Sequence, residues 1–201
     1  MKIIGLCGGS GSGKGSVCAI FDKLGIPSID TDAVYRELTS KDSQCMRALS
    51  SEFGDEIISP DGSLNRGILR KVVFEGDDAG IRLKRLNEIS HKYILDRTRE
   101  ILDAYREKGY CAAIVDAPVL FESGFDKECD IIISVTADKD IRVERIIKRD
   151  GIDRNNAEAR IASQLSDDEV VLRSDFVIQN NSDLVSLEKR VTEVAKQILE
   201  N

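Results

Sequence analysis

Apolar residues fall into two rhythms along this chain. Short continuous runs occupy residues 2–7, 27–29, 111–115, 131–135 and 176–178, the pattern of strands buried on both faces. Between them apolar positions recur at three- and four-residue spacing, as in helices with one face in a core. Leu184, Leu187, Val191, Val194 and Ile198 give the last helix such a stripe. Strands alternating with helices predict an α/β fold with a five-stranded parallel sheet. Residues 33–109 read as almost entirely helical, too long for a simple crossover, so a helical subdomain is expected there. Its turn signals are Ser59-Pro60-Asp61-Gly62 and Gly76-Asp77-Asp78. No internal repeat or low-complexity tract is evident.

The first apolar run leads into Gly8-Gly9-Ser10-Gly11-Ser12-Gly13-Lys14-Gly15-Ser16, and a helical pattern follows at Val17. At a strand-to-helix turn, glycines let backbone N–H groups converge on phosphate oxygens, and the helix N-terminus adds partial positive charge. Gly9, Ser10, Gly11, Ser12, Gly13, Lys14, Gly15 and Ser16 are therefore the expected nucleotide-binding set, with Lys14 reaching the terminal phosphates of a nucleoside triphosphate. One position departs from the motif. A Ser or Thr directly after the lysine ligates magnesium, and Gly15 stands there.

Other candidates follow the strands, where ligands of open parallel sheets bind. Asp30-Thr31-Asp32 follows the second run; if extended, it turns both carboxylates to one side. One could take a proton from an attacking hydroxyl, here assigned to Asp32, and Asp30 could hold magnesium. The other reading is a helix N-cap. Asp116 follows the third run and is a candidate metal-side carboxylate, or loop punctuation before Pro118. Arg142, Arg145 and Arg149 share a helical stripe, and Arg160 and Gln164 share another face. Such cations on a lid would stabilise a transferring phosphoryl group; the alternative is a solvated face paired with Glu144 and Glu158. His91, the lone histidine, reads on its own as a surface or capping residue.

Composition narrows the field. The chain has 201 residues, 41% hydrophobic and 32% charged, with a net charge of −7, so no broad nucleic-acid surface is expected. No apolar stretch approaches the ~20 residues of a membrane span, and the chain opens directly on a strand at Lys2 without a signal-peptide pattern. Cys7, Cys18, Cys45, Cys111 and Cys129 are odd in number and widely spaced, which fits buried thiols in a reducing cytoplasm rather than zinc or disulfides. No obligate protein partner is inferred. A phosphotransferase, a nucleoside monophosphate kinase and a nucleotide-binding module without turnover all remain compatible with these residues. A signalling GTPase is disfavoured because no Asn-Lys-x-Asp motif occurs.

The ordered motifs resemble the dephospho-coenzyme A kinase family over nearly the whole chain. Ile4-Gly5-Leu6-Cys7-Gly8-Gly9 through Lys14 is similar to its opening, and Asp30-Thr31-Asp32 to its Asp-Ala-Asp. Leu64-Asn65-Arg66, Leu69-Arg70, Val73-Phe74, His91-Lys92-Tyr93-Ile94 and Pro118-Val119-Leu120-Phe121-Glu122 resemble further signatures. So do Arg145 with Arg149-Asp150, Arg160-Ile161-Ala162-Ser163-Gln164 and Val177-Ile178-Gln179-Asn180. The resemblance implies one P-loop kinase domain over residues 2–200, with an acceptor-side helical insertion (about 33–109) and a lid (about 140–172). It implies ATP and Mg2+ and phosphorylation of the ribose 3′-hydroxyl of dephospho-coenzyme A, the last step of coenzyme A synthesis. By the same resemblance, Lys14, Asp32, Arg145 and Arg149 are catalytic, and Arg142 and Asn180 belong to the nucleotide side. Asp32, Arg66, His91, Pro118, Leu120, Arg160 and Gln164 face the acceptor, and Asp30 and Asp116 the metal. Departures are Gly15, Asn65 for aspartate, Lys92 for proline, Gln179 for aspartate and Val170 for lysine. An enzyme with a raised magnesium requirement is expected.

Overall fold

The computed structural model describes residues 1–40 and 42–200. Five strands, β1 (Lys2–Cys7), β2 (Ser28–Asp30), β3 (Ala112–Asp116), β4 (Ile131–Thr136) and β5 (Phe176–Gln179), form a parallel sheet in the order β2-β3-β1-β4-β5. β1 is central, pairing Leu6 with Asp116 on one side and Cys7 with Ser134 on the other. A strand flanked on both edges and covered on both faces must be apolar throughout, and Ile3, Ile4, Leu6 and Cys7 are all buried. Gly5 is small for a packing reason: a Cβ there would lie 2.8 Å from Cys129 Sγ and 2.9 Å from Leu120 Cδ2.

Two compact units divide the chain, residues 1–29 with 104–201 and residues 30–103. In the first, α1 (Lys14–Lys23) and α9 (Leu184–Glu200) cover the sheet with Val17, Phe21, Leu187, Val191 and Ile198. Each such side chain contributes about 1.5–3 kcal/mol by leaving water. The stripe on α9 opens at Leu187; Leu184 stays 61% exposed. Three helices follow β4: α6 (Lys139–Asp150), α7 (Arg154–Ala162) and α8 (Asp167–Leu172). α6 and α7 pack through Val143, Ile146 and Ala157.

The second unit is helical, built from α2 (Thr31–Leu38), α3 (Gln44–Phe53), α4 (Arg66–Phe74) and most of α5 (Ala79–Glu107), up to Asp103. Side-chain caps start the first three: Asp30 accepts from Asp32 N and Ala33 N, Ser43 from Met46 N, and Asn65 from Ile68 N. Its core gathers Cys45, Met46, Leu49, Phe53, Leu69 and Val73. The turn at Ser59–Gly62 is closed by Ser59 N–H donating to Ser63 O and by an Ile58–Leu64 bridge.

Candidate active site

The loop between β1 and α1 is shaped by what surrounds it. Gly8, Gly11 and Gly13 hold φ of 142°, 80° and 96°, a region where any Cβ is strained. A Cβ at Gly9 would collide with Arg142 Nη2, one at Gly13 with Asn180 Nδ2, and one at Gly11 would lie 2.6 Å from Arg142 O. The carbonyls are tied back by donors. Lys14 Nζ donates to Gly8 O (3.0 Å), Arg142 Nε to Ser10 O (2.9 Å) and Asn180 Nδ2 to Ser12 O (2.8 Å). Arg145 Nη1 donates to Gly11 O (3.2 Å) and Ser12 O (3.3 Å). In a trans peptide the N–H points away from its carbonyl, so fixing carbonyls on one side presents N–H groups on the other. α1 begins at a glycine cap with no side-chain bond, leaving the Lys14 and Gly15 N–H groups for an external acceptor. That cradle fits the phosphates of a nucleotide.

Lys14 is a mostly buried cation, its Nζ 3.9 Å from Asp116 Oδ1. Asp116 is the last residue of β3, in register with Leu6. Its Oδ2 accepts weakly from Cys18 Sγ at 3.9 Å. Burial, and then the Asp116 charge, push the Cys18 thiol up to about 12; burial likewise lifts Cys7 to about 11. Gly15 has no atom within 4 Å of a notional Cβ, and both it and Ser16 are exposed.

The arginines that share a stripe in sequence separate in space. Arg142 is 4% exposed and forms a bidentate pair with Asp167, at 2.8 and 2.9 Å. Arg145 is half-buried behind the loop and also donates to Asn180 O (3.0 Å). Arg149 is exposed and pairs with Asp150 (2.7 Å), which Arg160 also contacts. The Arg149 hydrogen bond, followed by that from Arg160, holds the Asp150 carboxyl down to about 2. Neither Glu144 nor Glu158 partners these side chains; Glu158 pairs with Arg154.

Beside the loop lies a cavity of about 140 Å3, lined by Cys7, Gly8, Gly9, Pro118, Gln164 and Val170 among others. Gln164 Oε1 accepts from Ser10 N–H at 2.8 Å. Leu120 does not line it. That side chain is fully buried beneath Gly5 and packs the sheet, so the contact expected of it with an acceptor is replaced by a core role.

In the helical unit, the chain enters α2 at Thr31, so Asp30 and Asp32 are not the extended pair that i, i+2 geometry assumed. Asp30 Oδ1 caps α2 and Oδ2 lies 3.3 Å from Arg36 Nη2. The cap reading applies to Asp30, whose oxygens are therefore committed away from a metal. Asp32, in the first turn, is exposed and carries no ion pair among the described residues. Arg66 opens α4 at the edge of a cleft of about 270 Å3 floored by Tyr35, Leu69, Val73 and Leu86, and Arg70 lines the same cleft. Neither arginine has an ion pair among the described residues. His91 is half-buried on α5.

Residues 2–186 match the family model for dephospho-CoA kinase (CoaE). The chain belongs to the dephospho-CoA kinase family. It is thus a phosphotransferase with a nucleotide-binding P-loop. A dephospho-CoA kinase from Dehalococcoides mccartyi is 38% identical over 201 residues, spanning 100% of this chain and 99% of the relative. One from Fusobacterium nucleatum is 37% identical, spanning 98% and 99%. A Thermus thermophilus crystal structure superposes with a TM-score of 0.80 at 28% identity, covering 98% of this chain and 97% of that one.

Against the family motifs, sequence reasoning missed two residues. Arg70 lies one helical turn from Arg66, and that i, i+4 spacing was signal enough to pair them. Asp167 had no local signal, because its partner Arg142 lies 25 residues away. Val170, where the family commonly has lysine, is buried and adds an apolar wall to the cavity.

Proposed function

We propose that this chain transfers the γ-phosphoryl group of ATP to the ribose 3′-hydroxyl of dephospho-CoA, giving CoA and ADP. The observation that carries this reading is the family match over residues 2–186 on a chain whose loop carbonyls at Gly8, Ser10, Gly11 and Ser12 accept from side chains. Phosphoryl transfer asks a protein mainly for positioning and for cations over the migrating group. Lys14 and the N–H groups of Gly11, Gly13, Lys14 and Gly15 bind the ATP phosphates, while those of Ser12 and Ser16 donate within the loop to Gly9 O and Gly13 O. Asp32 takes the proton of the 3′-hydroxyl as the new O–P bond forms and the bond to the β-phosphate bridge breaks. Arg66 and Arg70, over an apolar floor, suit an acceptor that joins a charged diphosphate to less polar arms; His91 and Pro118 are assigned to the acceptor as well. Arg149 is assigned to the charge of the transferring group, and Arg145 and Asn180 support the nucleotide side by holding Ser12 from behind the loop.

No cluster of three or more His, Cys, Asp or Glu suited to a metal exists among the described residues. This fits Mg2+ carried largely by phosphate and water, with one carboxylate from the protein. Asp116 is the residue that would hold it, and the ion would neutralise charge on the phosphoryl oxygens. No helix among the described residues is long and apolar enough to cross a membrane. Free cysteines throughout accord with the cytoplasm.

The test is ADP release with dephospho-CoA against a panel of nucleoside monophosphates and other alcohols. Turnover should be highest with dephospho-CoA. Faster turnover with a monophosphate would make the chain a nucleoside monophosphate kinase.

A further inference from the structure

Ser10 is gripped from both sides by side chains that lie outside the phosphate loop. Its N–H donates to Gln164 Oε1 at 2.8 Å, and its carbonyl accepts from Arg142 Nε at 2.9 Å. The same guanidinium turns Nη1 to both oxygens of Asp167. Gln164 lies in the short link between α7 and α8 and Asp167 opens α8, so this stretch supplies one half of the grip and the anchor of the other half, Arg142 on α6. Arg142 is 4% exposed, and its partner carboxylate is 40% exposed. The loop is moulded around this side chain, since a Cβ at Gly9 would strike Arg142 Nη2.

The grip has a directional consequence. The Ser10 carbonyl shares a trans peptide with the Gly11 N–H, and the two point oppositely. Holding that carbonyl on Arg142 aims the Gly11 N–H to the far side, into the cradle. The Ser10 N–H is meanwhile withdrawn from the phosphate set by Gln164. The Nε and Nη1 donors of this guanidinium are thereby committed, in charge-assisted bonds, to a carbonyl and a carboxylate.

We propose that Arg142, Gln164 and Asp167 are positioning residues that preset the Ser10–Gly11 peptide, so that nucleotide affinity depends on the α7–α8 link. The proposal rests on ATP binding at this loop and is independent of which acceptor is used.

Asp167→Asn keeps the shape and removes the charge that anchors Arg142. Binding of a non-hydrolysable ATP analogue, without acceptor, should weaken about ten-fold, the scale of one hydrogen bond to a charged group. Asp167→Glu should recover most of it, and Gly9→Ala, which evicts the guanidinium, should show the same loss. With the analogue bound, hydrogen exchange resolved by residue should speed up at Gly11 in Asp167→Asn and at Ser10 in Gln164→Leu, while Ile4 in the sheet stays protected. Affinity that is unchanged or tighter in Asp167→Asn would overturn the proposal, because it would mean that a freed Arg142 serves the ligand directly. Equal acceleration at Ile4 would also overturn it, showing a general loss of stability. A wild-type chain that bound no ATP analogue would instead defeat the nucleotide reading, whereas an unexpected acceptor would leave these measurements standing.

Discussion

The phosphate loop and the helical unit of residues 30–103 are built in opposite ways. In the loop the backbone is the instrument. The buried Arg142 and Asn180 and the half-buried Arg145 surround it and each donate to its carbonyls. In the helical unit the backbone is ordinary helix, its ends closed by Asp30, Ser43 and Asn65. There the side chains proposed to carry the chemistry, Asp32, Arg66 and Arg70, are exposed and have no ion pair among the described residues. A site made of backbone tolerates almost no change in shape, and a site made of side chains tolerates almost no change in chemistry.

The largest effect expected is on the side-chain side. Asp32→Asn keeps the shape and loses the base, so kcat should fall by about two to four orders of magnitude. ATP affinity should hold, and the protein should melt as before. If Asp30→Asn proved the crippling change while Asp32→Asn stayed mild, the two roles would have to be exchanged. Next comes the backbone side. Gly13→Ala forces a side chain into φ 96° and onto Asn180 Nδ2, a strain of about 1–3 kcal/mol. It should weaken ATP binding about ten-fold or more with no change in acceptor binding, as calorimetry with each ligand separately would read. Equal losses for both ligands would erase the division of labour.

The smallest effect probes the one loop glycine that is neither crowded nor at positive φ. Gly15→Ser adds a hydroxyl where no atom lies within 4 Å. It should lower the magnesium concentration needed for half-maximal kcat/KM by a few-fold, a fraction of the ~1–3 kcal/mol of a charge-assisted contact. Coincident magnesium curves would mean that the wild-type loop already has its full ligand set.

The same contrast explains how much could be read from the chain alone. Strands buried on both faces announce themselves as apolar runs, and all five are found within a residue of their expected limits. Asp116 joins β3 because the ladder to Leu6 runs one residue further than the apolar run. The phosphate loop was legible because its glycines are forced by local backbone and by close neighbours. The Asp30–Asp32 geometry was misjudged because Asp30 captures two amides and starts a helix at once. The arginine stripe was read correctly as a stripe but not as three different environments, since a long side chain's partner depends on tertiary neighbours. Leu120 failed for the same reason: nothing in its own segment reveals the gap above Gly5 that it fills.

The buried thiols give this chain a built-in clock. Cys7 ends β1 at the root of the loop, and Cys18 faces Asp116 from α1; they are 2% and 8% exposed. At neutral pH both remain protonated, their ionisation pushed to about 11 and about 12, and only a thiolate attacks an alkylating reagent. Their labelling therefore waits on moments when the root of the loop opens to water. Cys111, exposed at the entrance to β3, reacts without that wait and times the reagent itself. The ratio of the two rates counts how often an empty cradle comes apart, and a bound nucleotide should slow the count.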